Sequence, residues 1–372
     1  MRVGVPTEVK DAEYRVAITP AGVRELTLGG HEVLVQAGAG EGSALGDGDY
    51  AAAGARIVDG AEDVWGQAEL VLKVKEPIEH EFGYLRDDLV LFTFLHLAAA
   101  GPLTRALLDA GTTAVAYETV VGRDGGLPLL QPMSEVAGRM APQVGSHELE
   151  RPRGGRGVLM GGAAGVLPAH VVVVGAGTAG RNAAWVASGM GANVTILDLD
   201  LDKLHYVDTV HQGRITTLAS NRLTVEEQVC TADLVIGAVL IPGARAPQVL
   251  TEEMVASMPD GSVLVDISID QGGCAATSRV TTHRDPTYVK HGVVHYCVGN
   301  MPGAVPRTST YALTNATLPY VQRLAVRGVT TAAAEDPGLA EGINTTQGAL
   351  TNEGVAEAHG LSHTPLSEAL GR

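Results

Sequence analysis

The chain has 372 residues and a formal net charge of −16 at pH 7, long enough for two domains, each with its own core. That acidity argues against nucleic acid or an anionic membrane surface as a partner, and it means that an anionic small substrate needs a local cluster of cations. Three cysteines, Cys230, Cys274 and Cys297, without a C-x-x-C spacing supply neither a disulfide framework nor a zinc site, so no metal is expected.

The opening MRVGVPTEVK lacks the apolar core of a signal peptide, and the most apolar stretch, 89–103, is interrupted by His96 and too short to span a bilayer. A cytoplasmic protein is expected. Residues 2–5 read as a strand that opens into a polar loop containing Arg15. Thr19-Pro20 is an N-cap followed by proline at the first helical position, and Gly29-Gly30 ends that helix. Strands follow over 31–36 and 56–58, with short helices over 49–53 and 61–67. The stretch 69–77, ELVLKVKEP, reads as a strand stopped by Pro77; it holds Lys73 and Lys75, two of only five lysines in the chain. After a helix over 79–85, LVLFTFLHLAA is a buried-type strand with His96 just past its end. Pro102 opens a helix to Ala110, and 113–117 is a further strand. A helix within 127–150 is expected to start at the N-cap Ser134.

The stretch 170–198, HVVVVGAGTAGRNAAWVASGMGANVTILD, is the most informative. Four consecutive valines suit a strand buried on both faces of a parallel sheet. They run into Gly175-Ala176-Gly177-Thr178-Ala179-Gly180, then a helix, then a strand ending on Asp198. Gly175 permits the tight turn, Gly177 lets a pyrophosphate approach the backbone, and Gly180 lets helix and strand pack closely. The helix N-terminus favours phosphate. With 47 glycines in the chain the glycine pattern alone is weak; strand, helix and terminal acid together point to a dinucleotide. Asp198 would accept from ribose hydroxyls and repel a 2′-phosphate, which favours NAD(H) over NADP(H).

Further strands are expected over 215–218, 234–240, 262–270 and 293–298, and a long helix over 308–326 kinked at Pro319. The last forty residues carry weaker helical patterns that pack back on the first domain. The rhythm implies an α/β protein of two doubly wound Rossmann-like domains with a cleft between them: residues 1–128 plus 307–372 as a discontinuous substrate domain, and 129–306 as the NAD-binding domain. Since ligands in open α/β sheets bind beyond the carboxyl ends of the strands, Arg15, Lys75 and His96 converge on one crevice. Singly, a histidine after an apolar strand is as readily a core residue, and Arg15 or Lys75 a salt-bridge partner; convergence favours function. His205, His211 and His283 read as structural.

Beyond these local signals, the chain resembles the family of NAD-dependent alanine dehydrogenases, which also includes the NAD(H)-binding part of proton-pumping transhydrogenase. The resemblance runs through EYRVAITPAGV, LVLKVKEP, LFTFLHLAA, YETV, PMSEVAGR, VVVVGAGTAG, ADLVIGAVLIPGA, VLVDISIDQGG and NMPGAVPRTSTYALTNATLPY, in order and over most of the chain. It implies reversible oxidative deamination of L-alanine to pyruvate and ammonium with NAD(H), by a homohexamer. It implies Arg15 and Lys75 as substrate-binding residues and His96 and Asp270 as catalytic ones. On the cofactor side it implies Ser134, Gly175, Gly177, Thr178, Ala179, Gly180, Asp198, Lys203, Ser220, Val239, Leu240, Ile267, Ser268, Ile269, Asp270, Arg279, Val298, Gly299, Asn300 and Met301. Two rival readings share the architecture: a lysine- or saccharopine-type dehydrogenase, and a non-catalytic NAD(H)-binding subunit like that of transhydrogenase.

Overall fold

A computed structural model describes residues 1–239 and 246–371. It divides into two units, Met1–Met133 with Gly303–Arg372, and Ser134–Pro302. The chain opens in the first unit with β1 (Arg2–Val5), α1 (Pro20–Leu28), β2 (Glu32–Gln36), α2 (Asp47–Ala52), β3 (Arg56–Val58), α3 (Ala61–Gln67), β4 (Leu70–Leu72), β5 (Val90–Thr93), α4 (Gly101–Ala110) and β6 (Thr113–Ala116). Next comes α5 (Gln131–Glu148). The second unit continues with β7 (His170–Val174), α6 (Thr178–Gly189), β8 (Asn193–Asp198), α7 (Leu201–His211), β9 (Thr216–Ala219), α8 (Arg222–Val229), β10 (Leu234–Gly237), α9 (Glu252–Ala256), β11 (Val263–Asp266), β12 (Thr287–Lys290) and β13 (Val293–Tyr296). Then α10 (Pro306–Glu335), α11 (Pro337–Gly342), β14 (Ile343–Thr346), β15 (Ala349–Leu350), α12 (Glu353–His359) and α13 (Leu366–Ala369) return to the first unit.

The two sheets share one plan. The first runs β3-β2-β1-β4-β5-β6-β14-β15, parallel as far as β6, with β14 and β15 antiparallel. The second runs β9-β8-β7-β10-β11-β13-β12, parallel except for β12. Both are doubly wound, and the order reverses between β1 and β4 in one and between β7 and β10 in the other, where such sheets open a crevice. The valines of β7 lie between β8 and β10 and are buried on both faces, with Val172 and Val174 in a cluster with Leu197, Val225, Val235 and Leu264. In the first unit, Trp65, Val71, Leu91, Leu103 and Ala114 form a core that Leu350 and Val355 complete from the far end of the chain.

Local signals explain several boundaries. Thr19 accepts from the Gly22 N–H at 3.3 Å, with Pro20 as the first residue of α1. Other boundaries differ from the sequence reading. β4 stops at Leu72, although the Lys73 N–H still donates to the Phe92 carbonyl at 3.2 Å, so Lys73 and Lys75 lie past the strand. β11 stops at Asp266 and passes into a 3-10 turn over Ile267–Gln271, which puts Asp270 on a turn rather than in a strand. The residues over Glu79–Tyr84 are also 3-10. α2 begins at Asp47, with the Asp49 carboxylate accepting the Gly46 N–H. α5 starts at Gln131, three residues before Ser134, because Pro132 suits a first turn; Ser134 is therefore inside the helix and is not its N-cap. α10 runs on through Pro319, and its non-helical residue is Gly328 (φ 70°, ψ 162°), a backbone only glycine adopts without strain.

Candidate functional site

In the second unit the glycine-rich turn sits at the reversal of strand order. Gly175 has φ 104°, and its N–H donates to the Leu197 carbonyl at 2.7 Å. A Cβ on Gly180 would lie 1.7 Å from the Gly175 carbonyl oxygen, so α6 is pressed against the turn, whereas a Cβ on Gly177 would meet nothing within 4 Å. Gly177 is the N-cap of α6, which has neither a side-chain cap bond nor an acidic residue in its first turn. The N–H groups of Thr178, Ala179 and Gly180 thus begin a helix whose entrance has open space, and that fits a diphosphate.

Asp198 closes this half-site from β8. Its Oδ2 accepts the Ala176 N–H at 2.6 Å and its Oδ1 accepts the Asp200 N–H at 2.8 Å. Each oxygen keeps a lone pair for a further donor. Lys203 places Nζ 3.4 Å from Asp200 and 4.0 Å from Asp198, and the Ser220 N–H donates to the Asp198 carbonyl at 2.9 Å. Val239 follows β10; Leu240 lies outside the described residues. Ser134 stands one turn before Gly138 on α5, where a Cβ would lie 2.2 Å from the Ala179 carbonyl oxygen, so this helix is packed on the start of α6.

The turn Ile267, Ser268, Ile269 and Asp270 is organised from below. The buried Asp266 accepts the N–H groups of Ser268, Cys274 and Ala275 at 2.9–3.3 Å and the Ser278 hydroxyl at 2.6 Å. Burial raises its carboxyl above the usual range against those donors. Asp270 accepts the Asn300 N–H at 3.1 and 3.3 Å. Asn300 has φ 60°, Val298 and Met301 are buried, and Gly299 lies against Asp270. Arg279 is turned onto the Tyr288 ring, 4.1 Å from its centroid. Among the described residues, those predicted for the cofactor thus gather at the carboxyl ends of β7, β8, β9, β10, β11 and β13, together with Ser134 on α5, Lys203 at the start of α7, and Arg279.

The first unit carries a different constellation past the ends of β1, β4, β5 and β6. Arg15 is 2 % exposed; its Nε and Nη2 donate to the two oxygens of Glu13 at 2.7 and 2.5 Å, and Nη1 points at Met133 Sδ, 3.0 Å away. Glu13 therefore holds one fork of the guanidinium and fixes its plane. Lys73 is fully buried between Glu8 at 3.2 Å and Glu81 at 3.0 Å. Burial works against its charge, but the two carboxylates overcome this and hold its pKa above the ordinary value. Burial also pushes the Glu8 carboxyl up, partly offset by Lys73 and by the Val74 N–H. Lys73 is thereby a structural cation, and the partly exposed Lys75 is the one that follows it towards solvent.

His96 stands in the left-handed region (φ 50°, ψ 38°), a conformation costly for a residue with a Cβ. Glu118 holds it there, accepting the His96 N–H at 2.5 Å and the Leu95 N–H at 3.2 Å. The imidazole is 41 % exposed and sets Nδ1 3.5 Å from Glu76 Oε2; the Phe94 ring stacks on it at 5.8 Å. A carboxylate only accepts, so the hydrogen sits on Nδ1 and Nε2 is the nitrogen left for chemistry. Burial disfavours the Glu76 charge, but hydrogen bonds from His96 and Lys10 and the charge of Lys75 hold its carboxyl well below the usual range.

An arginine, a lysine and an exposed histidine on one sheet edge can clamp a small carboxylate and move a proton beside it. Sequence reading found Arg15, Lys75 and His96 but passed over the acids that orient them, Glu13, Glu76 and Glu118. For Glu13 and Glu76 the local signal is an acid placed one or two residues from a cation in a strand-end loop; Glu118 has no such neighbour. His283, read as structural, places its Nε2 3.1 Å from the Asn300 carbonyl oxygen. Among the described residues, no cluster of metal-ligating side chains is present and no helix is long and apolar enough to cross a membrane.

Comparison with known proteins is consistent across the whole chain. The family model described as alanine dehydrogenase/PNT, N-terminal domain, matches residues 4–137, and its C-terminal-domain counterpart matches residues 141–353. Alanine dehydrogenases of Mycolicibacterium smegmatis and Mycobacterium tuberculosis are 60 % identical over 370 residues, with both chains covered in full. A solved L-alanine dehydrogenase is 48 % identical with a TM-score of 0.93, covering 97 % of this chain and 99 % of that one. A transhydrogenase structure from Sinorhizobium meliloti is 27 % identical with a TM-score of 0.83, covering 94 % and 100 %.

Proposed function

The chain belongs to the alanine dehydrogenase/PNT family, and from that premise we propose that it interconverts L-alanine and pyruvate: alanine, NAD⁺ and water give pyruvate, ammonium, NADH and a proton. The observation that carries this reading is the edge of the first sheet, where Arg15, Lys75 and His96 follow three strand ends. A subunit that only bound a dinucleotide would have no use for them.

Arg15, its plane fixed by Glu13, takes the substrate carboxylate. Lys75 donates to the substrate's carbonyl oxygen. His96 works through Nε2: it takes a proton from the water that attacks the iminium carbon and returns a proton to the departing amine. Asp270 is the second catalytic residue, an anion that favours positive charge on the imine nitrogen. NAD(H), when bound, accepts or supplies the hydride. Gly175, Gly177, Thr178, Ala179 and Gly180 would hold its diphosphate and Asp198 its ribose, excluding a 2′-phosphate by charge. A cytoplasmic homohexamer completes the reading; sedimentation velocity checks the assembly.

The deciding assay is NADH oxidation with pyruvate plus ammonium, set against 2-oxoglutarate plus lysine and against NADPH. Turnover is expected with the first pair and NADH. Lysine-dependent turnover without pyruvate-dependent turnover would move the protein to the other dehydrogenase class, and no turnover with either would leave a dinucleotide-binding subunit.

A further inference from the structure

We infer that His283 is a positioning residue for Asp270, acting through the backbone of Asn300; the inference rests on the catalytic reading of Asp270 given above. Asp270 lies on the 3-10 turn after β11, and the segment 297–301 follows β13. The two meet at Asp270 and Asn300, where the carboxylate accepts the Asn300 N–H through both oxygens at 3.1 and 3.3 Å. They meet again at Gly299, where even a Cβ would stand 3.2 Å from Asp270 Oδ1. A shift of this segment by a few tenths of an ångström therefore moves the carboxylate.

The segment turns at Asn300, whose φ of 60° lies in the left-handed region that asparagine enters more readily than most residues. Its amide is aimed at Asp270 only while that conformation is kept. The neighbouring stretch 281–283 supplies the restraint. The Thr281 N–H donates to the Cys297 carbonyl at 2.9 Å and the Gly299 N–H donates to the Thr281 carbonyl at 3.2 Å, which lays the two stretches side by side. His283 then reaches past Gly299, and its Nε2 is 3.1 Å from the Asn300 carbonyl oxygen. A carbonyl only accepts, so Nε2 carries the hydrogen. Asn300 is gripped at both ends of its peptide framework: its N–H by Asp270 and its C=O by His283. The imidazole need not change charge for this role. Because His283 lies half-buried on a loop outside the core clusters, replacing it tests the grip without removing core packing.

The experiment compares wild type, His283→Ala and His283→Gln as full chains. The Gln side-chain amide can place an N–H where Nε2–H stands; Ala cannot. Two readouts are taken: kcat and pyruvate KM for NADH-dependent amination, and hydrogen–deuterium exchange of a peptide covering residues 298–301. For H283A, kcat is expected to fall by about tenfold or more, as misplacement of a reacting group does, with pyruvate KM within about twofold of wild type, since Arg15 and Lys75 are untouched. Exchange at 298–301 is expected to quicken by about tenfold, and H283Q should restore most of both. An H283A protein with wild-type kcat and wild-type exchange would overturn the inference, as would an H283Q protein as slow as H283A. If wild type shows no turnover with pyruvate, the functional reading falls, while the exchange comparison still decides whether His283 holds Asn300.

Discussion

The two sheets reverse their strand order in the same way, yet the crevices at those reversals are made of different material. In the second unit the crevice is lined largely by backbone: Gly175, Gly177 and Gly180 bring a helix start to the strand end, and beside them Asp198 is tied to the Ala176 and Asp200 amides. In the first unit the crevice is lined by side chains that acids hold in place, Arg15 by Glu13 and His96 by Glu76, with Lys73 buried beneath them between Glu8 and Glu81. A shared topology supplies the place, and the residues beyond the strands decide what is recognised there. Backbone suits a diphosphate that spans several amides. Paired cations suit one small carboxylate in a protein that is otherwise acidic.

The sharpest way to break that contrast is at His96. His96→Ala is expected to lower turnover by about 10²–10⁴-fold, the usual worth of a positioned acid/base, while NADH affinity, read by fluorescence titration, stays within about twofold. A matching loss of NADH affinity would mean that the first unit's edge also serves the nucleotide. The next largest effect falls on stability. Lys73→Met leaves Glu8 and Glu81 buried without their cation and should cost about 3–5 kcal/mol in urea unfolding; a cost under 1 kcal/mol would mean that Lys73 is no structural cation.

On the nucleotide side, Asp198→Ala should reduce the preference for NADH over NADPH by about tenfold, about 1.4 kcal/mol, in the ratio of kcat/KM values. An unchanged ratio would take the discrimination away from Asp198. The smallest effect is at Glu76. Its folded carboxyl lies below the ordinary range, so its stabilisation is full above the unfolded value near pH 4 and is lost as pH falls through the folded value. Glu76→Gln should thus be less stable than wild type by about 1 kcal/mol at pH 7, and the gap should begin to narrow below roughly pH 4 and go on narrowing as pH falls further. A gap that stays constant as the pH is lowered would show that the substitution acts through packing rather than charge.

The same contrast explains what could be read from the residues. Val171, Gly175, Gly180 and Asp198 encode backbone geometry at fixed spacing, and local sequence specifies that. Thr19-Pro20 announced its helix for the same reason. Lys73 misled because LVLKV continues a strand pattern, whereas a distant Glu8 and Glu81 draw its ammonium inward after Leu72. β14 carried no strand signal because its Asn344, Thr345 and Thr346 are polar. They are buried all the same, and partners remote in sequence satisfy them: the Thr345 hydroxyl donates to the Thr112 carbonyl at 3.0 Å and the Asn344 amide to the Thr119 hydroxyl at 2.8 Å. Glu118 was invisible as a functional residue because its task, holding the left-handed turn at His96, exists only once β5 and β6 lie side by side.

The late arrival of β14 also has a consequence for biosynthesis. A nascent chain leaves the ribosome from its N-terminus, and domains generally fold as units as they emerge. The residues between 134 and 302 form a continuous unit, so they can close while translation still proceeds. The first unit cannot: until residues 343–350 have been made, β6 presents an unpaired edge of the kind that recruits foreign strands, and its core lacks Leu350 and Val355. The part of the molecule made first is therefore the part finished last, and its open edge is exposed for as long as the ribosome takes to reach residues 343–350.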